Sequence, residues 1–558
     1  MGDVEAIRIL KMMGRQPDDP LTPEVAAEVC ERSNRDVLLT GAIAQIGSVY
    51  LLTLQATDCR SSKKLASTQA KARTKEDVLG AIDTVAARIR SQLGEAAASI
   101  QRYDRPIDEA TTPSLEALKD FSQGEYLRSQ GKSEVEILPY YQRAVLLDPQ
   151  FAMAYGAIGV TFYNANENSL ASLYLRKASD LRHRVGAKES LIIEAHYYSE
   201  GLGDIEQGIE TYKLWAAMYP FDPVPWLDMA NDYNQIGQYR AAIDAGERAL
   251  PLDPDHATTY AVLMRAYRRQ NRIADAKSIG MQAIQRGKDA SSIHAMLYEI
   301  AHWEQDAEAE ARELAWGERN PGDFYFLYDR AEAALFSGKF KEAKRLFGES
   351  HDAAAREGLS EAADSVLSDF AAYQLEFGMD SDARATLHRI AKPDPEATDI
   401  AILRTKLGDD AYGKQFLDRQ QIKENLPTLL KSYNLPLLSA ALAMGQARPM
   451  DAVTALEAAR AYELSGFGVL KARGEAYLVA KEPKAAAPEF QKIVDHYGID
   501  VISPEIPLAH LGLARAYTRA GDAADSRDEY EKFFTLWKNA DADVPVLVTA
   551  RAEYTATH

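Results

Sequence analysis

The sequence predicts a mostly helical protein: an α-solenoid of antiparallel helix pairs, arranged as a right-handed superhelix and preceded by a small α/β domain. Three observations predict this fold class. Bulky and small residues recur at a fixed step after residue 113, and residues 1–105 alternate helical with β-rich patterns. Hydrophobic residues make up 46% of the 558, enough for a long core. A repeat array has no size limit of the kind that bounds a single globular core.

The net negative charge of the chain argues against nucleic acid and anionic membrane surfaces as partners. The chain has 83 acidic and 64 basic side chains, a formal net charge of −19. A surface this negative repels phosphate backbones and anionic head groups. We therefore expect no nucleic-acid partner. The chain shows no secretory signal pattern at its start.

The first domain, over residues 1–105, reads as a helix, a β-hairpin, a strand and a helix. The helix begins at Thr22 and Pro23, a preferred cap and first position. Residues 37–57 carry no charge, as in a membrane span. Polar residues interrupt them, however, and Gly47 with Ser48 favours a turn. We expect a buried hairpin and no membrane span.

A strand over 64–73 and a helix from Thr74 to Leu93 complete this domain, which is expected to be incomplete at its start. Residues 106–112 read as a linker. The array then occupies residues 113–558. We expect about eleven or twelve repeats, with degenerate copies near residues 182–221 and 391–436.

The repeats are recognised by similar residues that recur at a constant interval. Two positions recur three times at a step of 34: Trp226, Tyr260 and His294 at the first, and Met229, Leu263 and Leu297 at the second. This step resembles the tetratricopeptide repeat, a pair of antiparallel helices. In the copy from Val224, Ala230 and Ala242 lie where the helices cross, because larger side chains would push the axes apart.

Stacked repeats leave a long concave surface that can bind a protein or peptide partner. The spacing places nine polar or aromatic residues on it, from three successive repeats: Asn231, Asn234 and Gln235; Arg265, Arg268 and Arg269; Glu299, His302 and Trp303. Asparagines can bond a peptide backbone, and arginines suit carboxylates. The set loosely resembles the carboxylate clamp of chaperone-binding tetratricopeptide domains but lacks its first lysine. Solvated faces without a ligand are the alternative interpretation.

The sequence contains no motif of enzyme chemistry that we can place. No serine lies in a G-x-S-x-G elbow, and no histidine pair has metal-ligand spacing. Glu299 and His302 share one helix face, without the further ligands that a metal needs. We expect a non-catalytic protein with no cofactor and no metal. An enzyme site at the junction between the α/β domain and the array is the alternative. Self-association through the apolar end of the array is a further expectation.

The two cysteines, Cys30 and Cys59, are brought near each other by the predicted hairpin. Either they form a disulfide or they are two separate buried thiols. A disulfide would indicate an oxidising compartment.

The order of parts resembles the C-terminal region of serine/threonine protein kinases of the acidobacterial type. The likeness lies in LTPEVAAEVCERSNRDVLLTGAIAQIGSVYLLTLQATDC at 21–59, TTPSLEALKDFSQGEYLRSQG at 111–131, IEAHYYSEGLGDIEQGIETYKLWAAMYPFD at 193–222 and HLGLARAYTRAGD at 510–522. The α/β domain also resembles the N-terminal domain of the Tol-system translocation protein. These resemblances imply an extracytoplasmic (periplasmic) sensing region of a bacterial signalling protein; a stand-alone relative would be cytoplasmic. Kinase motifs are absent from the sequence, so the chain is either part of such a kinase or a stand-alone relative.

Overall fold

The computed structural model describes residues 10, 13–15, 22–32, 36–75, 77–97, 111–129, 132–288, 290–390, 394–423 and 425–557. The chain divides into two compact units. Unit 1 comprises residues 1–162 and 170–197, and unit 2 comprises residues 163–169 and 198–558. Residues 98–110 lie outside the described residues, and with them most of the expected linker and of the junction considered as an enzyme site.

Unit 1 begins with a three-stranded antiparallel sheet in the order β1-β2-β3. Its elements are α1 (Pro23–Arg32), β1 (Val37–Ile46), β2 (Val49–Asp58), β3 (Lys64–Ala72) and α2 (Val78–Gln92). Helix α2 packs on β2 and β3, where it buries Leu52 and Ala56. Gly47 turns the hairpin with φ +63°, a conformation that glycine adopts without strain. The expectation of a buried hairpin is wrong for β1, whose residues are exposed or half-buried because helix α2 packs on β2 and β3.

A disulfide joins Cys30 of α1 to Cys59, with the two Cα atoms 5.5 Å apart. The hairpin brings them together because the end of β2 returns beside the start of β1. The backbone N–H of Cys59 donates to the carbonyl oxygen of Asp36 at 3.0 Å. The covalent link therefore ties α1 to the open end of the hairpin.

The remainder of unit 1 is helical. Its helices are α3 (Leu115–Ser129), α4 (Glu134–Leu147), α5 (Ala152–Asn164), α6 (Asn168–Leu181) and α7 (Ala187–His196). Small residues allow close packing here: a Cβ on Gly159 would collide with the side chain of Leu175. The last residues of α5 and the first of α6 belong to unit 2.

Unit 2 is a run of antiparallel helix pairs. Its helices are α8 (Ile205–Met218), α9 (Val224–Gln235), α10 (Tyr239–Leu252), α11 (Ala257–Arg269), α12 (Ile273–Gln285), α13 (Ser291–Glu304), α14 (Ala307–Arg319), α15 (Phe324–Phe336), α16 (Phe340–Arg356), α17 (Ser360–Glu376), α18 (Asp380–Leu387), α19 (Thr398–Lys406), α20 (Asp410–Gln421), α21 (Leu435–Gly445), α22 (Pro449–Glu457), α23 (Gly468–Val479), α24 (Pro483–Asp495), α25 (Glu505–Ala520), α26 (Ala523–Leu536) and α27 (Pro545–Thr557). Ala242 and Ala276, at equivalent positions of two repeats, are fully buried between helices. The structure confirms the predicted fold class, an α-solenoid preceded by a small α/β domain.

The later repeats of unit 2 pack back onto the turns of the earlier ones. The N–H of Thr428 donates to the carbonyl oxygen of Gly203 at 2.8 Å. Tyr239 donates through its hydroxyl to the carbonyl oxygen of Leu464. The indole of Trp537 donates to the carbonyl oxygen of Phe336 at 3.1 Å. Contacts between residues about 200 positions apart thus stack one part of the array on another.

Two short π-helical segments lie close in sequence to the hydrogen bond between Thr428 and Gly203. They are Tyr197–Gly201 and Leu430–Asn434. They fall inside the two regions where the repeat pattern is weak, 182–221 and 391–436. A π-turn shifts the register of the side chains that follow it. Within the described residues, no helix combines the length and the apolar composition that crossing a bilayer requires.

Candidate functional site

The nine residues predicted for the concave surface come from α9, α11 and α13, the first helices of three successive pairs in unit 2. Three of them are buried, with exposed fractions of 0% for Asn234, 6% for Arg268 and 8% for Glu299. The other six are partly exposed: Asn231, Gln235, Arg265, Arg269, His302 and Trp303. We call the surface formed by these helices and α15 the inner surface.

One part of the inner surface is covered by the chain itself. The connector between α24 and α25, residues 496–504, packs against it, and Val501 and Ile502 are 0% and 1% exposed within the core of α11, α13 and α15. A Cβ on Gly498 would collide with the carbonyl oxygen of Arg268, so only glycine fits this approach. The ring of Tyr497 stacks on Trp303, with centroids 4.6 Å apart.

An ion pair underlies this covered part. Nη1 of Arg268 lies 3.1 Å from Oε2 of Glu299 and 4.0 Å from Oδ1 of Asp500 in the connector. Burial raises the pKa of the Glu299 carboxyl and of the Asp500 carboxyl, although Arg268 partly offsets the effect. Arg268 therefore pairs with the buried carboxylate of Glu299 and also faces the partly exposed carboxylate of Asp500 in the connector.

Asn234 and Arg269 hold neighbouring helices together. Nη1 of Arg269 donates to the carbonyl oxygen of Asn234 at 2.7 Å, and the amide of Asn234 donates to the carbonyl oxygen of Val262 at 3.2 Å. Burial lowers the pKa of Arg269 to about 10. Its guanidinium also lies 5.7 Å from the ring centroid of Tyr239. These two residues join α9 to α11 in the folded array.

His302 and Gln235 also have partners inside unit 2. Nδ1 of His302 lies 2.8 Å from Oε1 of Glu310, and its Nε2 lies 3.1 Å from Oγ of Ser337. Gln235 accepts a hydrogen bond from the hydroxyl of Tyr163 at 3.3 Å. Six of the nine predicted residues thus have side-chain partners among the later or neighbouring helices, and Trp303 has the stacked ring of Tyr497.

The uncovered part of the inner surface contains polar side chains that have no such partner. Among the described residues, Asn231, Arg265 and Asp329 make no side-chain hydrogen bond and no ion pair. They belong to α9, α11 and α15. Arg265 lies within electrostatic range of Asp329 and of Tyr163, and Asn231 lies one helical turn before Gln235, the acceptor of Tyr163.

The charges of this part are of both signs. Burial lowers the pKa of Arg265, and its neighbour Arg268 lowers it further. Burial raises the pKa of Asp329 well above its usual value, and Glu299 and Asp500 add repulsion. Because Arg265 and Asp329 are not ion-paired, both side chains remain available to a third group. An extended segment that carries a carboxylate, an amide backbone and a cation would satisfy all three side chains.

A group of carboxyls adjoins this site on α15 and α17. Glu332 accepts hydrogen bonds from the hydroxyls of Tyr328, at 3.4 Å, and Tyr373. Asp369 accepts from Tyr328 at 3.1 Å, and burial raises its pKa to about 7. Within the described ranges, no three His, Cys, Asp or Glu side chains are arranged to hold a metal ion.

Sequence reasoning missed Asp329, Tyr163 and the connector. A signal for Asp329 was present, since Asp329 and Glu332 stand three residues apart in the mostly apolar α15 and so share one face. The connector had a weaker signal: GIDVISP at 498–504 is longer and more apolar than the four-residue turn DPDH at 253–256. Tyr163 had none, because it comes from a helix before the first clear repeat.

Comparisons with known proteins identify no family. No family model matches the chain, and no curated protein matches it. Among solved structures, it is similar to a human IFIT1 dimer with PPP-AAAA, at 10% identity and TM-score 0.34, over 84% of this chain and 95% of that one. It is also similar to the P58(IPK) TPR domain, at 14% identity and TM-score 0.19, over 80% and 99%. A third similar structure is the APC/C hetero-tetramer Cut9-Hcn1, at 12% identity and TM-score 0.28, over 84% and 99%.

Proposed function

We propose that this protein is a non-catalytic scaffold that binds an extended segment of a partner protein on the uncovered part of its inner surface. One observation carries the proposal: Asn231, Arg265 and Asp329, from three of the four inner helices, have no side-chain partner among the described residues. All three are only partly exposed, and polar groups withdrawn from water are normally hydrogen-bonded. A bound segment would supply the partners that these three lack.

The chemistry of the three side chains defines the segment. The Asn231 amide can donate to and accept from a peptide backbone, as one unit of an extended chain requires. Arg265 can bind a carboxylate through two parallel N–H groups. Asp329 can bind a lysine or arginine side chain. The ligand is therefore a peptide with one acidic and one basic residue, separated by a short stretch of backbone.

A cationic group on the ligand is also favoured by the neighbouring carboxyls. Burial and mutual repulsion raise the pKa of Glu299, Asp329 and Glu332. A positive charge placed among them would stabilise their ionised forms and lower those pKa values again. Binding should then release protons, and affinity should rise with pH as these carboxyls ionise.

The test is selection from a library of random phage-displayed peptides on the immobilised full chain. We expect Arg265→Ala and Asp329→Asn each to lower recovery of the selected peptides at least about tenfold, which corresponds to one charge-assisted hydrogen bond. The control is Arg240→Ala, because the Arg240 side chain is 77% exposed and pairs only with Asp244 of its own helix. Equal recovery by all four proteins, or no selection by the wild type, would contradict the proposal.

We further propose that the scaffold is the sensor or interaction region of a bacterial serine/threonine kinase signalling protein and works outside the cytoplasm. The resemblance in the order of parts supports the first statement, and the link between Cys30 and Cys59 supports the second, since disulfides persist in oxidising compartments. An antibody against the chain should detect a natural polypeptide heavier than 61.7 kDa. Alkylation without reductant should leave both cysteines unlabelled; labelling of both would overturn the assigned compartment.

A further inference from the structure

Among the described residues, strand β1 is an open edge of the sheet in unit 1. It pairs with β2 along its whole length, and β3 pairs with the other side of β2. Its apolar side chains are exposed: 54% for Leu39, 59% for Ile43 and 41% for Val37. Edge strands are usually protected by charges, proline or a bulge. The ten residues of β1, VLLTGAIAQI, contain neither charge nor proline.

The hydrogen bonds of β1 show which of its backbone groups are free. Cys59 donates to the carbonyl oxygen of Asp36, so residue 36 is bonded towards β2. Because bonding alternates along an antiparallel strand, the even-numbered residues of β1 are bonded to β2 and the odd-numbered residues direct their N–H and C=O groups to the open edge. These are Val37, Leu39, Gly41, Ile43 and Gln45.

The same odd-numbered residues carry side chains on the face that α2 partly covers. Ile43 is paired with Leu52, and Leu39 is paired with Ala56, both of which α2 buries. Paired residues of an antiparallel sheet have their side chains on one face. Helix α2 contacts β2 and β3, so the apolar row on β1 extends the core face of the sheet beyond this helix.

We propose that β1 pairs antiparallel with β1 of a second copy of this chain, about a two-fold axis through Gly41. In this register Leu39 of each copy lies opposite Ile43 of the other, and Val37 lies opposite Gln45. Every pair consists of odd-numbered residues, so the free N–H and C=O groups of both edges bond each other. The two three-stranded sheets become one sheet of six strands.

The charge of the chain favours this contact over others between copies. Each copy has a net charge of −19, so most of its surface repels a second copy. Residues 37–57 carry no charge, so no like charges meet in the proposed register. A single strand pair is smaller than a standard protein interface. The dimer should therefore form and dissociate with concentration.

Engineered cysteines test the register on the full chain. At the two-fold axis, the Gly41 Cα atoms of the two copies would be about 5.5 Å apart, within disulfide range. A Cβ there meets nothing closer than 3.9 Å. Gly41→Cys should give a covalent dimer under mild oxidation. Val37→Cys is the matched control, because its two copies would lie eight residues apart, about 26 Å, and should not crosslink.

Sedimentation velocity over a concentration series tests the surface itself. Ile43→Lys should raise the dimer dissociation constant at least about tenfold, because it places a charge opposite Leu39 in both halves of the contact. The control is Leu65→Lys on β3, where Leu65 is 45% exposed at the opposite edge of the sheet. A wild type that stays monomeric, a dimer that survives Ile43→Lys, or equal crosslinking at positions 37 and 41 would each overturn the proposal. The first would leave the edge to a different occupant.

Discussion

The inner surface of unit 2 has a part covered by the connector and an uncovered part. Two arginines of helix α11 lie one in each part. Arg268 pairs with Glu299 and faces Asp500 of the connector. Arg265, one turn earlier on α11, has no side-chain hydrogen bond or ion pair among the described residues. In the sequence the two look alike. The comparison teaches that a polar residue on an inner helix can stabilise the fold or bind a ligand. Which of the two it does depends on whether a segment remote in the sequence packs against it.

The largest expected difference between the two parts is in stability. Arg268→Ala should lower the free energy of unfolding by about 3–5 kcal/mol, because it leaves Glu299 as an uncompensated buried carboxylate. Arg265→Ala should cost less than about 1 kcal/mol, since it breaks no ion pair. Denaturant unfolding followed by tryptophan fluorescence measures both. Equal losses would remove the distinction between the two parts.

A smaller effect should follow from a change in the connector alone. Gly498→Ala should cost about 3 kcal/mol, because its Cβ would collide with the carbonyl oxygen of Arg268 and push the connector off α11. Gly348→Ala is the matched control: Gly348 lies within α16 with nothing near its Cβ position. That variant should be stabilised by up to about 1 kcal/mol. Similar unfolding midpoints for the two variants would show that the connector is loosely packed.

The carboxyls near the uncovered part should give the smallest effect, seen as a pH dependence. Burial raises the pKa of Asp369 to about 7 in the folded chain. The folded state therefore holds a proton that the unfolded state has released, and Asp369 lowers stability as pH rises from about 4 to 7. Asp369→Asn keeps an acceptor for Tyr328 and removes this titration. The full shift corresponds to about 3 kcal/mol over that interval. Because Asp369 is partly exposed, we expect the stability of the variant to fall by about 2 kcal/mol less than that of the wild type.

The free energy of unfolding is measured by urea titration at pH 4 and pH 7. Equal changes between the two pH values in the wild type and in Asp369→Asn would contradict this expectation. Asp364→Asn, on the same helix, is the comparison. It should show a smaller change of the same sign, because burial also raises the pKa of Asp364 while His351 partly offsets that effect.

The sequence allowed the fold to be predicted where packing is local. Ala242 and Ala276 must be small because neighbouring helices cross there, and this requirement repeats with the chain. The approach of Cys30 to Cys59 was also local, since one hairpin turn brings the two together. Each of the two regions with weak repeats contains a π-turn. The extra residue of a π-turn could not be predicted from the 34-residue spacing of the repeats.

The site could be predicted only in part, for a physical reason. Asn231 and Arg265 were named from their spacing, and they are two of the three residues without a partner. The roles of Arg268, Glu299 and Trp303 depend on Tyr497 and Asp500, about 200 residues away. Solenoid repeats normally contact only their neighbours. The spacing of the early repeats therefore could not predict that a late connector packs against them.

The returning connector also has a consequence for synthesis of the chain. Asp500 follows Arg268 by 500 − 268 = 232 residues, which a ribosome takes roughly 10 to 50 s to add. For most of that interval Arg268, Glu299 and the apolar side chains beside them have been made but are not yet covered by the connector. An ordinary solenoid can propagate its structure from each repeat to the next, but here the early repeats are completed only by a late segment. We therefore expect the nascent chain to bind chaperones mainly during this interval.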